Sequence, residues 1–219
     1  MESQEVVPVR LRIVFAKTEA MRYTSHLDLH RTWERTIRRA KLPLAYSQGY
    51  NPHPRINLAS ALPLGFTSEC DVVDIWLEQD RSIEQVTAAL DAAAPPGIKL
   101  QEVRKVDMRA PTLQTVLTST DYIITFLDPF PALGDRLVVL LRTEKLERER
   151  RGKVYDLRPL IFAAERIDDD EQGHARMRVR LSAQEGATGR PEEVIEALEA
   201  EPTHCRVHRI GLNFSDETQ

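Results

Sequence analysis

His26 and His30 stand four residues apart, and His53 lies in the loop that follows. On a helix, that spacing lets two imidazoles share one ion. The glutamate that zinc proteases place between such histidines is absent, and Asp28 between them is better used as a helix cap, so no metal and no cofactor are expected. A second chemistry needs no metal. His26 in a first helical turn, where the positive end of the dipole favours neutral imidazole, joins Tyr46, Tyr50 and His53 in a candidate acid/base cluster able to deprotonate a ribose hydroxyl. The third possibility is binding alone. Arg31, Arg35 and Arg38 suit phosphates, Tyr46 and Tyr50 suit stacking on unpaired bases, and Gln48 and Asn51 suit base edges, with Arg22 and Arg55 flanking them. Recognition of single-stranded RNA uses these groups.

Positioning these side chains requires a helix and a stiff loop. Ser25 followed three residues later by Asp28 reads as a capping box, which starts the helix at His26. At 100° per residue, Leu29, Trp33, Thr36, Ile37 and Ala40 share one side, and Arg31, Arg35 and Arg38 share the other, with Arg39 at its edge. Pro43 ends the helix near Lys41 or Leu42. Tyr46 to Arg55, YSQGYNPHPR, then supplies a loop whose two prolines limit its movement.

The stretch TSHLDLHRTWERTIRRAKLPLAYSQGYNPHPRI, with the later PLGFTSECDVVDIWL and GKVYDLRPLI, resembles the radical SAM-linked protein family. That family is a domain of unknown function, found as a separate chain or as the tail of a radical S-adenosylmethionine protein. The resemblance covers most of the chain and implies a radical SAM enzyme as partner. Only Cys70 and Cys205 are present, without a CxxC pair. Lacking three closely spaced cysteines for an iron–sulfur cluster, the chain is expected to be the companion and not the catalyst. Each thiol is expected to be buried. In the last of the matching stretches, Lys153, Asp156 and Arg158 are candidate contacts, although Asp156 and Arg158 read equally well as an ion pair.

The formal charge of −4 over 219 residues argues against general nucleic-acid binding but conceals an asymmetry. From Lys17 to Arg55 there are eight Lys/Arg against three Asp/Glu, a net of +5, which leaves −9 for the rest. A basic region on an acidic chain suits phosphate or an acidic partner. The first seven residues, MESQEVV, lack the basic start and apolar stretch of a leader, and no run approaches the roughly 20 apolar residues of a membrane span. A cytoplasmic protein with no membrane contact is expected.

With 42% apolar residues the chain can bury a core. Apolar/charged alternation predicts a strand over Val9 to Lys17, followed by the basic helix and strands over Ile56 to Leu62 and Asp71 to Leu77. Ser82 caps a second helix that stops at Pro95-Pro96-Gly97, and Ile98 to Val106 is a fourth strand. Trp33 is expected in the core, Trp76 as packing or edge cover, and Asp71 and Asp74 facing solvent. Residues 108–119 read as a linker. The order then recurs: a strand over Tyr122 to Leu127, a helix over Ala132 to Arg142, a hairpin about Arg151-Gly152, strands over Leu160 to Ile167 and Ala175 to Leu181, a helix opened by Pro191, and a strand over Cys205 to Phe214.

The expected class is therefore α+β, a tandem of ferredoxin-like βαββαβ units with antiparallel sheets and helices on one face. The first unit would span 1–107, with the basic helix and SQGYNPHPR loop, and the second 120–219. The function expected is a non-catalytic accessory protein of a radical SAM enzyme that binds RNA or a ribonucleoprotein substrate. The alternatives are a protein-docking module and a metal-independent endoribonuclease.

Overall fold

The structure, a computed structural model, describes residues 8–150 and 152–215. The opening MESQEVV, read above for a leader, and Arg151 in the expected hairpin lie outside the described residues. The fold is mixed helix and strand, dominated by sheet, in two compact units that divide between Val116 and Leu117. Among the described residues, no helix is long and apolar enough to cross a membrane.

The first unit runs β1 (Val9–Lys17), α1 (His26–Arg39), β2 (Ile56–Leu58), β3 (Phe66–Leu77), α2 (Ile83–Ala93), β4 (Ile98–Val106) and a single turn α3 (Leu113–Val116). Its strands pair antiparallel in the order β4–β1–β3–β2, with Leu11 opposite Ile75 and Ile13 opposite Val73. Strand alternation puts Leu11, Ile13 and Phe15 on one face, and the helical stripes Leu29, Trp33, Ile37 and Val86, Leu90 cover it in one core. Trp33 meets Phe15 edge to face at 4.9 Å.

The opposite face of β1 and β3 corrects the sequence reading. Asp74, expected to face solvent, is buried, at 0% exposure, and Arg10 and Arg12 are buried with it; Asp71, also expected outside, is buried on the other side, across from Phe15, where it accepts from the Ser68 hydroxyl. The reason is pairing across strands: Arg12 stands opposite Asp74 in the register, and both arginines converge on that carboxylate. Arg10 also donates to the carbonyls of Ala110 and Pro111, which draws the chain after β4 over this face. The division between the two units falls inside residues 108–119, the segment read as a linker. Leu113 and Val116 are buried in α3, and Leu117 already begins a strand. Trp76 is packing, as read, with the guanidinium groups of Arg10 and Arg55 over its ring at 4.9 and 4.7 Å. Lys17 is buried and donates to the carbonyls of Arg22 and Phe66.

The second unit runs β5 (Leu117–Phe126), α4 (Leu133–Arg142), β6 (Glu147–Arg150), β7 (Lys153–Asp156), β8 (Ile161–Ile167), β9 (Arg176–Gln184), β10 (Ala187–Thr188), α5 (Pro191–Ala197) and β11 (Cys205–Phe214). β11, β5, β9 and β8 pair antiparallel in that order, and β10 pairs with the end of β9. β6 and β7 form the expected hairpin, held to α5 by Arg150 on Glu193 at 2.8 Å. Cys205 is buried, and burial pushes its thiol up to about 12. Cys70 is only half-buried, against expectation.

Candidate nucleic-acid interface

α1 begins as its sequence dictates. The Ser25 hydroxyl accepts from the Asp28 amide at 3.1 Å and donates to the Asp28 carboxylate at 2.7 Å. Burying Leu29, Trp33, Thr36 and Ile37 turns Arg31, Arg35, Arg38 and Arg39 to the solvent side. That side is less uniformly cationic than its sequence suggests. Arg31 lies 3.4 Å from Asp28 and Arg38 lies 2.8 Å from Glu34. Both pairs join residues one helical turn apart, and each draws one guanidinium toward a carboxylate of its own helix. Arg35 and Arg39 have no carboxylate partner among the described residues. Arg22, expected as a flank, donates from its Nε to Gly65 O at 2.8 Å, and its guanidinium lies over Tyr23.

The YSQGYNPHPR loop is a closed lobe. Tyr46 bridges Pro54, the Ser47 amide donates to His53 O at 2.8 Å, and the His53 amide donates to the Ser47 hydroxyl at 2.9 Å. Below this neck the Ala45 amide donates to Trp76 O and the Arg55 amide to Ala45 O, which seats the lobe against β3. Gln48, Gly49, Tyr50, Asn51, Pro52 and His53 are all exposed, Tyr50 completely. Gly49 adopts φ 137°, a backbone angle that side chains resist. The Tyr46 hydroxyl accepts from Arg38 Nη2 at 2.8 Å, so the lobe and the basic helix are joined at its neck. That hydrogen bond, with Glu34 adding to it, raises the Arg38 pKa further.

The acid/base candidates are only partly brought together. Tyr46 and His53 flank the neck of the lobe, but His26 begins α1, twelve residues and roughly 18 Å of helix axis from Arg38. His30, on the turn after it, points its Nε2 at Ile56 O, 3.4 Å away. No group of three or more His, Cys, Asp or Glu among the described residues is placed to hold a metal ion.

Lys153, Asp156 and Arg158 belong to the second unit, where two of them do structural work. Asp156 and Arg158 do not form the ion pair that their spacing suggested. The Asp156 carboxylate accepts from the amides of Leu146 and Arg158, and these bonds, Leu146 foremost, hold its pKa below the usual carboxylate value. Arg158 donates to Leu141 O and Ile161 O, so it caps the carbonyl end of α4. Lys153 is exposed on β7.

One feature of the first unit escaped the sequence reading. Thr32, Arg35, Arg38 and Arg39 of α1 and Pro95, just past α2, line an open cleft of about 480 Å³. The i, i+3, i+4 spacing of the three arginines was the signal available, but Pro95 is sixty residues away in sequence. The second unit has a larger cavity of about 690 Å³ beside the start of α4, which Asp128, Arg166, Asp169 and His174 help to line. Its polar groups already have partners, Arg166 on Asp169 at 2.7 Å, His174 on Asp170 at 2.8 Å and Asp128 on His204 at 2.7 Å.

No curated protein matches the sequence. Among solved structures, a chain of the crystal structure of a Cbf5-Nop10-Gar1 complex is similar over 94% of this chain and 50% of its own, at 9% identity and a TM-score of 0.49. A chain of the structure of an H/ACA RNP bound to a substrate RNA containing 2'-deoxyuridine is similar over 86% and 45%, at 10% identity and 0.42. The acetolactate synthase small subunit from Thermotoga maritima covers 95% and 96%, at 11% identity and 0.27. This chain spans about half the length of the first two, and likenesses this distant carry no functional argument. A family match is far more direct: residues 10–191 fit the family described as "Uncharacterized protein conserved in bacteria (DUF2344)", and the chain belongs to that family.

Proposed function

We propose that this chain is a non-catalytic RNA-binding accessory protein that reads single-stranded RNA through the outer side of α1 and the lobe that follows it. The observation that carries the reading is the Arg38–Tyr46 hydrogen bond, which makes the cationic helix and the exposed Gln48–His53 tip adjoining parts of one surface. Arginines on the helix offer charge, Tyr50 offers a fully exposed ring, and Gln48 and Asn51 offer amides within the same rigid lobe. The resemblance to the radical SAM-linked family adds the expected partner, a radical SAM enzyme in the cytoplasm, to which this chain would present the RNA. We read both units as ferredoxin-like. The sheet orders β4–β1–β3–β2 and β11–β5–β9–β8 support this, with the β6–β7 hairpin and β10 as insertions in the second.

The test is binding of a short single-stranded oligoribonucleotide, followed by fluorescence anisotropy. Tyr50→Ala, at a fully exposed position, should leave the fold intact and weaken binding by about 1–3 kcal/mol, the worth of one stacked base. Unaltered affinity would reject the lobe as a contact. Protein docking has its own observation, since Tyr23, just before α1, and Leu27, in its first turn, expose large apolar side chains. Recovery of a radical SAM enzyme bound to this chain and free of RNA would favour that reading instead.

A further inference from the structure

The RNA-binding reading leaves open which part of an RNA the arginine cleft takes. We infer that the cleft lined by Arg35, Arg38, Arg39, Thr32 and Pro95 is a subsite for a phosphomonoester, the terminal phosphate of an RNA strand, and not one step of a track for internal phosphates. This rests on the RNA-binding reading and deepens it.

Charge distribution along α1 is the first ground. Arg31, Arg35 and Arg39 form a row of i, i+4, i+8 positions rising about 6 Å per step, which is what a track along an extended backbone would use. Asp28 occupies the first of them, 3.4 Å from Arg31, so the unpaired charge gathers at the last turns of the helix. Three guanidinium groups line the cleft, and among the described residues the one carboxylate in contact with them is Glu34, on Arg38. The cleft therefore holds a net charge of about +2 over one ligand-sized space. An internal phosphodiester carries a single negative charge, whereas a terminal phosphate near pH 7 carries about 1.5 to 2 and three acceptor oxygens for paired guanidinium donors.

The walls are the second ground. Thr32 has its hydroxyl proton committed to Asp28 O at 2.7 Å, so it offers the cleft a methyl group and an acceptor, not a donor. Anion recognition thus falls to the arginines, and Pro95 closes the space with an apolar ring. At about 480 Å³ the cleft is far larger than a phosphate and leaves room for the nucleoside that bears it. The helix dipole accounts for cations in the last turn, Arg38 and Arg39, but gives no reason for Arg35 a turn earlier.

The full chain is tested by anisotropy with three oligoribonucleotides of one sequence, bearing a 5′-phosphate, a 3′-phosphate, or hydroxyls at both ends. One phosphorylated end should bind about tenfold tighter than the hydroxyl form, and which end does so assigns the polarity of the bound strand. The preference should vanish in Arg35→Gln and Arg39→Gln, both at exposed positions, and should shrink as pH falls below about 6 and the monoester loses its second charge. Equal affinity for all three overturns the subsite and leaves RNA binding standing. Failure of all three to bind at low salt overturns the RNA reading itself, and the subsite with it.

Discussion

Replacing Asp74 with asparagine should be among the most damaging single changes in the first unit. Its carboxylate, at 0% exposure, accepts from Arg10 Nε at 2.9 Å and Nη2 at 2.5 Å, and from Arg12 Nε at 2.9 Å and Nη2 at 3.0 Å. Asparagine keeps the shape but removes the charge, and it turns an amide donor toward guanidinium groups that are themselves 2% and 3% exposed. Breaking a buried pair from one side costs about 3–5 kcal/mol, and two buried cations lose their counterion here, so the upper end applies. That is a large part of the roughly 5–15 kcal/mol that holds a domain together. Urea unfolding followed by tryptophan fluorescence isolates the effect, because the only two tryptophans, Trp33 and Trp76, are both in the first unit. At a slope of about 1–3 kcal/mol per molar urea, the midpoint should fall by about 1.7 M or more. An Arg10→Met/Arg12→Met/Asp74→Leu variant, which removes every charge, should recover most of the loss. A cost below about 1 kcal/mol for Asp74→Asn would refute the assignment of Asp74 as the anchor of that face.

Gly97→Ala should destabilise the same unit by about 2–4 kcal/mol in the same assay, since Gly97 sits at φ +100° and an added Cβ would lie 2.5 Å from Met21 Cγ and 3.0 Å from its amide nitrogen. Asp156 gives a pH prediction with a definite sign. Because its folded pKa is depressed by the Leu146 and Arg158 amides, its contribution is present above the unfolded value near 3.9 and is lost as pH falls through the folded value. Amide exchange at Leu146 should therefore accelerate in acid, and Asp156→Asn should remove that pH dependence. Cys205, with its thiol pushed to about 12, should resist alkylation at pH 8 until the second unit is unfolded, as read by mass spectrometry of the labelled peptide.

What the sequence made legible was local. Val9–Lys17, His26–Arg39, Ile98–Val106 and Cys205–Phe214 were readable almost to the residue, because caps, prolines and alternation act within a few positions of the chain. What it hid depends on partners far away in sequence. Asp74 on an alternating strand reads as a solvent-facing residue until Arg10 and Arg12, more than sixty positions earlier, arrive beside it. Arg158 and Asp156 read as a pair by proximity, yet each found a better partner in backbone groups further back in the chain, the Leu146 amide for Asp156 and the Leu141 carbonyl at the end of α4 for Arg158. At the candidate site the residue types of the helix and lobe were plain. Their connection through Arg38 and Tyr46, the loss of Arg31 to Asp28, and the contribution of Pro95 were not, since each requires the folded positions of two segments.

The central claim is that α1 and its lobe act as one RNA-binding surface, and the salt dependence of affinity tests it most directly. For single strands the slope of log K against log salt is about −0.7 per phosphate contact, so Arg35→Gln/Arg39→Gln, which removes donors to one phosphate, should flatten it by about 0.7, while Tyr50→Ala should lower affinity at every salt concentration without changing the slope. A double variant whose slope matches the parent chain, with Tyr50→Ala binding as tightly, would contradict the account.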